Sequence, residues 1–281
     1  MIHYVTIHFE TTCWVDLQIN HIAKNTDNYK IWALYGYRDA DCKVKSVIDV
    51  YGPKFEFFKA HHVSKNQTGS KTHWQLLNQL TDIVLSDSSV CDDDIIIWLD
   101  SDCLPINNIN EFVKRKLKHT EFSAIQRVEN IHTKSPNGDQ FPHPSFAFCT
   151  VGFCRLHKLK WDGIVDCERI DINSSIQDTG GSLLCYFNDN NIKWSPIRRS
   201  QGLTMEMVLF SIYGDVVYHH GGGTREILKG ELLVRSDLQL CKGNICLKYY
   251  LSIRQKISSI IKSDIEDGYF LSKYRSCNLQ S

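Results

Sequence analysis

Two aspartates one residue apart, Asp100 and Asp102, directly follow the apolar run Ile95-Ile96-Ile97-Trp98-Leu99. An unbroken apolar run of this length is the composition of a strand covered on both faces. At the carboxyl end of a parallel strand, side chains enter the crevice where open α/β sheets bind ligands. Hard divalent cations take oxygen ligands, and Mg²⁺ or Mn²⁺ usually accepts one or two protein carboxylates while leaving positions for substrate phosphates. The spacing therefore suits a Mn²⁺ or Mg²⁺ site that also holds a diphosphate. The competing reading is a pair of aspartates capping a turn or a helix.

The surrounding chain has the alternation needed to place such a strand end. Residues rich in β-branched and aromatic side chains predict strands over Tyr4 to Phe9, Tyr29 to Tyr35, Phe55 to Lys59 and Ile95 to Leu99. Between them, Trp14 to Lys24 and Thr72 to Leu85 predict helices, the second with Trp74, Leu77, Leu80 and Leu85 on its apolar side. Such alternation implies an α/β fold with a mostly parallel sheet and helices on both faces. Downstream, strands are expected at Phe122 to Gln126, Phe146 to Phe153 and Val216 to Tyr218, and helices at Ile109 to Leu117 and Thr179 to Asn188. Glu129 to His143 has turn chemistry without periodicity and is expected to be a loop. From Glu226 to Ser281 the pattern is that of a helical extension, expected to pack on the core, with oligomerisation or peripheral membrane contact as alternatives.

Composition bounds the partners. The 281 residues, 42% hydrophobic, can bury one substantial core. Lys+Arg and Asp+Glu number 32 each, so no excess positive field exists for a phosphate backbone, and nucleic acid is excluded as the principal partner. The eleven cysteines are odd in number and nowhere spaced C-x-x-C, which suits reduced thiols. No basic and then apolar leader opens the chain, and no apolar run approaches the roughly 20 residues of a transmembrane helix. A cytoplasmic protein is expected, with the sequons at Asn66 and Asn173 as chance matches.

Gly69-Ser70-Lys71-Thr72-His73-Trp74-Gln75-Leu76-Leu77-Asn78, followed by Trp98-Leu99-Asp100-Ser101-Asp102-Cys103-Leu104-Pro105, resembles the nucleotide-binding half of GT-A glycosyltransferases. The resemblance covers about residues 2 to 110 and extends toward 225. It implies a Rossmann-like GT-A domain over 1–225, with halves of about 1–110 and 111–225, followed by the extension 226–281. It implies metal-dependent transfer of a sugar from a nucleotide-diphosphate donor, with a UDP-sugar first, to a hydroxyl of a glycan, glycolipid (lipid-linked glycan) or protein acceptor. On matching positions, Thr11 and Thr12 would lie beside the nucleotide and Asp39 or Asp41 near the base. Ser70, Lys71 and His73 would lie near the ribose or donor sugar, with Ser101 beside the donor. Asp102 would ligate the metal, and Asp100 would contact the ribose or a metal-bound water. Tyr35-Gly36-Tyr37-Arg38-Asp39 departs from the family's common Asp-Asn-x-Ser-x-Asp pattern.

The same resemblance gives roles to Val216-Val217-Tyr218-His219-His220-Gly221-Gly222-Gly223-Thr224-Arg225. A late histidine completes the metal shell in several such families, and a basic segment neutralises the leaving diphosphate. His219 or His220 could ligate, and only one of them, because adjacent strand residues face opposite ways. Arg225 could hydrogen-bond phosphate. Asp178, in Gln177-Asp178-Thr179-Gly180-Gly181, would act as general base or bind the acceptor sugar, or would simply cap a helix. Phe141-Pro142-His143-Pro144-Ser145-Phe146 offers either a wall for a sugar's apolar face or a strand entrance. Trp161 and Trp194 read as core and Arg198-Arg199 as solvated surface. Two other functions fit the carboxylate pair: a nucleotidyltransferase or phosphohydrolase, and a sugar-binding module of the same fold without turnover.

Overall fold

A computed structural model describes residues 1–8, 12–35, 52–59, 70–128, 140–163, 179–198 and 211–219. Ten strands are present among them: β1 (Ile2–His8), β2 (Tyr29–Tyr35), β3 (Phe55–Lys59), β4 (Ile95–Leu99), β5 (Cys103–Pro105), β6 (Phe122–Val128), β7 (Gln140–Thr150), β8 (Trp194–Ile197), β9 (Ser211–Tyr213) and β10 (Val217–His219). Five helices accompany them: α1 (Thr12–Asn25), α2 (Ser70–Ser86), α3 (Ile109–Leu117), α4 (Val151–His157) and α5 (Gly181–Asp189).

Seven strands form one sheet in the order β3-β2-β1-β4-β7-β6-β8. The first four are mutually parallel, β7 runs antiparallel to both β4 and β6, and β8 returns parallel to β6. The chain steps outward from β1 to β2 and β3, then crosses back through α2 to lay β4 on the other side of β1. The strand order reverses between β1 and β4, and that reversal opens a crevice at their carboxyl ends. A separate antiparallel sheet, β5-β10-β9, starts where β4 stops.

Both faces of the large sheet are covered, which explains why β1 is buried at all seven positions. On one face, Val15, Ile19 and Ile22 of α1, three and four residues apart, pack with Ile109, Phe112 and Val113 of α3 against Tyr4, Ile31, Ile97 and Leu99. On the other, Leu76, Leu77, Leu80 and Val84 of α2 meet Val5, Ile7, Trp32 and Trp98, joined by Phe153 of α4 and Phe187 of α5. Each large apolar side chain buried in this way contributes about 1.5–3 kcal/mol relative to exposure. Trp98 anchors its layer, edge-on to Trp161 at 5.1 Å and donating from Nε1 to Thr81 Oγ1 at 2.9 Å.

The α/β class, the mostly parallel sheet and the helices on both faces match the sequence expectation, and β2, β3, β4 and α3 have the expected bounds. Other elements differ. The strand expected over Phe146 to Phe153 ends at Thr150, whose Oγ1 accepts the Phe153 N–H and starts α4. The same strand begins at Gln140, so the last residues of the loop expected over Glu129 to His143 lie inside β7. The strands β5, β8 and β9 were not anticipated. They are three or four residues long, too short to display a period, and β8 carries Pro196, which the sheet accepts because β8 is its edge. The N-cap of α5 is Gly180 at φ 98°, one residue inside the start expected at Thr179. Among the described residues, no helix is long and apolar enough to cross a membrane. The extension 226–281 lies outside the described residues.

Candidate metal centre

Asp100 and Asp102 leave the carboxyl end of β4 in a tight turn closed by the Cys103 N–H donating to the Asp100 carbonyl at 2.9 Å. That turn is clamped from α1. The buried Gln18 amide donates from Nε2 to the carbonyls of Asp100 at 2.7 Å and Cys103 at 3.0 Å, while its Oε1 accepts from Thr6 Oγ1 at 3.2 Å. A side chain of α1 thus ties β1 to the segment that carries both carboxylates.

The third group arrives on a hairpin. Gly214 and Asp215, at φ 56° and 60°, form the two left-handed positions of a turn closed by the Val216 N–H donating to the Tyr213 carbonyl at 3.0 Å. The returning strand β10 pairs His219 directly with Cys103 of β5. His219 Nε2 consequently lies 3.3 Å from Asp102 Oδ1 and 3.8 Å from Asp100 Oδ2.

The neighbouring strand adds an orienting contact that the sequence did not reveal. Pairing of β6 with β7 jumps from Ala124↔Ala147 to Ile125↔His143, so Pro144, Ser145 and Phe146 bulge out of that ladder. Pro144 has no N–H to give to it, and bulges of this kind re-aim side chains. Here the bulge turns Ser145 toward the strand end: its Oγ donates to Asp100 Oδ2 at 2.5 Å and lies 2.7 Å from His143 Nδ1. From the first turn of α2, His73 Nε2 stands 3.6 Å from Asp100 Oδ1.

These neighbours decide protonation. Burial works against a charge on Asp100, but the imidazoles of His73, His143 and His219 with the Ser145 hydroxyl outweigh it and hold the carboxyl below the ordinary carboxylate range. Burial also disfavours a charged His219, and the Cys103 sulfur and Asp102 outweigh it, holding the imidazole well above its ordinary value. Burial pushes the Cys103 thiol itself up to about 12.

The donor set fits a divalent cation. One carboxylate oxygen, one sulfur and one imidazole nitrogen, from Asp102, Cys103 and His219, lie within 4.8 Å of one another. Two donors bound to one ion at about 2.1 Å each stand roughly 3–3.4 Å apart, close to the Asp102–His219 separation. The expected residues Asp100, Asp102, His73 and His219 are thus brought together, with Ser101 in the turn between the carboxylates. Ser70 and Lys71 open α2, and Thr12 opens α1. Thr11, Asp39, Asp41, Asp178, His220 and Arg225 lie outside the described residues, as do Asn66 and Asn173.

Phe141 and Phe146 are fully buried in the core within β7, which fits the strand entrance rather than the sugar wall, the two alternatives for this segment. Trp161 is core, as read, and Arg198 is exposed. Gln18 and His8 carry no role in the sequence pattern, and Cys103 and Ser145 enter it only as members of the segments 98–105 and 141–146. His8 ends β1 beside the crevice, fully buried, with neither ring nitrogen hydrogen-bonded, and burial lowers its pKa to about 4. The only sequence signal for it was a histidine at the end of an apolar strand.

No protein-family model matches the chain, and no curated protein matches it. Among solved structures it is similar to the galactosyltransferase LgtC in complex with donor and acceptor sugar analogues, at 10% identity over 56% of this chain and 60% of that one, TM-score 0.41. It is also similar to S. aureus TarS 1–349 in complex with UDP, at 10% identity over 57% and 49%, TM-score 0.38. A third is the glycosyltransferase GlyE of Streptococcus pneumoniae TIGR4, at 10% identity over 56% and 36%, TM-score 0.36. The chain spans less than two thirds of each of these proteins.

Proposed function

We propose that this chain is a metal-dependent glycosyltransferase of the GT-A type, moving a sugar from a nucleoside-diphosphate donor, a UDP-sugar first, to an acceptor hydroxyl. One observation carries the reading: two carboxylates at the carboxyl end of β4, in the crevice where the strand order reverses, face a histidine delivered by a separate sheet. In an open α/β sheet that crevice is where nucleotides bind.

Asp102 and His219 are the residues that would hold the cation. A bound divalent cation supplies positive charge against the departing diphosphate. Asp100 is held in one orientation by Ser145 and faces His73, a geometry suited to a ribose hydroxyl or a cation-bound water. The N-terminal end of α2, which carries His73, would add partial positive charge toward a bound phosphate. Thr11, Thr12, Asp39 or Asp41, Ser70, Lys71 and Arg225 complete the donor site in this reading. Asp178 serves the acceptor, and 1–225 is the catalytic domain with 226–281 as its extension.

The test is release of nucleoside diphosphate from a panel of nucleotide sugars in the presence of a divalent cation. One donor is expected to be consumed, and Asp102→Asn to slow the reaction by about 10²-fold or more. Consumption of no donor by folded protein, or undiminished turnover in Asp102→Asn, would remove the proposal.

A further inference from the structure

We infer that Cys103 is a third protein ligand of this cation site and makes it selective for a thiophilic divalent ion, Zn²⁺ first, over Mg²⁺ or Mn²⁺. The inference rests on the cation-site part of the proposed function and not on sugar transfer. Its geometry is built by the small sheet. Cys103 and His219 are direct partners across an antiparallel pair, which puts their side chains on one face as neighbours. Asp102 precedes Cys103 in the turn clamped by Gln18, so all three donors sit on backbone fixed by hydrogen bonds. Their ligand atoms lie within 4.8 Å of one another.

The chemistry of the set follows from its atoms. Mg²⁺ and Mn²⁺ favour oxygen, whereas a set of one thiolate, one imidazole and one carboxylate offers a soft donor and a borderline one that suit Zn²⁺. Three protein ligands would leave a fourth position for a diphosphate oxygen, which is also the arrangement of catalytic zinc. Burial alone does not explain Cys103. Cys149 and Cys154 are equally buried, and like Cys103 each belongs to an apolar cluster, theirs on the opposite face of the sheet. Among the described residues, Cys103 is the cysteine that shares a potential ligand set with a histidine and a carboxylate. On binding, the Cys103 S–H bond breaks, a sulfur–metal bond forms and the proton passes to solvent, with no change of oxidation state.

The experiment is Co²⁺ titration of the metal-free full chain, followed by the near-ultraviolet sulfur-to-cobalt charge-transfer band and by calorimetry in parallel. The expected result is a band that saturates at one Co²⁺ per chain and is displaced by Zn²⁺. Cys103→Ser is expected to keep cation binding, lose the band and lower the Zn²⁺-to-Mn²⁺ affinity ratio at least tenfold. The cadmium NMR shift of the Cd²⁺-loaded unsubstituted chain should carry the deshielding of a sulfur ligand, which keeps the inference testable if the variant fails to fold. Co²⁺ bound without the band, or a band unchanged in Cys103→Ser, overturns the inference and leaves the cation site standing. No cation bound at all overturns the site reading with it.

Discussion

Replacing Gln18 with leucine tests whether α1 clamps the carboxylate turn. The substitution keeps the side chain's approximate volume and removes three hydrogen bonds, two from Nε2 to the Asp100 and Cys103 carbonyls and one from Thr6 to Oε1. Each contributes a net of about 0.5–1.5 kcal/mol, and the Asp100 carbonyl keeps its bond from Cys103, so the loss works out at about 1.5–4 kcal/mol. Urea unfolding followed by circular dichroism measures it, and calorimetry of the same variant measures divalent-cation affinity. Affinity is expected to fall at least tenfold, because the turn that holds Asp102 is released. Gln18→Glu sharpens the test, since two carbonyls facing Nε2 require a donor there. A carboxylate in that place meets both carbonyls as an acceptor, so Gln18→Glu is expected to be less stable at pH 7 than Gln18→Leu. A stability loss under about 1 kcal/mol in Gln18→Leu with unchanged cation affinity, or Gln18→Glu more stable than Gln18→Leu, would refute the clamp.

Three further outcomes are expected. His8 stays neutral in the fold until about pH 4, while the unfolded chain takes up that proton near its ordinary value. Stability is therefore lost as pH falls between those points, by up to about 3 kcal/mol, and the gap between the native chain and His8→Phe should change across pH 7 to 4.5; a constant gap would contradict this. Gly214→Ala puts a Cβ 2.6 Å from Phe112 Cζ at φ 56°, and should destabilise the hairpin carrying His219 by about 1–3 kcal/mol in urea unfolding. Ser145→Ala frees Asp100 from its 2.5 Å contact and should weaken cation-dependent nucleotide binding by about 10–100-fold while circular dichroism stays native.

The parts of this molecule that sequence made legible are those whose signal is local. The run Ile95–Leu99 announced a central strand because both faces of β4 are covered, and the two aspartates announced a site because they follow it without interruption. The apolar stripe of α2 was legible in part: Leu77 and Leu80 are buried as expected, Trp74 and Leu85 are half-buried, and Leu76 and Val84 complete the packing face. What was not legible depends on pairing. Ser145 reaches Asp100 only because β6 and β7 shift register around Pro144, and no residue spacing encodes a register. Cys103 becomes a neighbour of His219 only through the pairing of β5 with β10, a contact between residues far apart in the chain. The Tyr213-Gly214-Asp215-Val216 turn does carry a hairpin signal, Gly-Asp between two short apolar runs, consistent with His219 on a returning strand. For Phe141 and Phe146 the sequence left a sugar wall and a strand entrance open, since aromatics beside prolines look alike whether they face solvent or core, and burial in β7 decides for the strand.

In the proposed function, Asp100 and Asp102 form a cation-dependent nucleoside-diphosphate site. Thermal-shift titration with UDP, GDP, CDP and dTDP, each with and without Mn²⁺, Mg²⁺ or Zn²⁺, tests it most directly on the native chain and Asp102→Ala. One nucleotide is expected to stabilise the native chain only when a cation is present, by about 2.7 kcal/mol at a hundredfold excess over Kd, and to leave Asp102→Ala unshifted. No shift with any pair in folded protein, or an equal shift in Asp102→Ala, would contradict it.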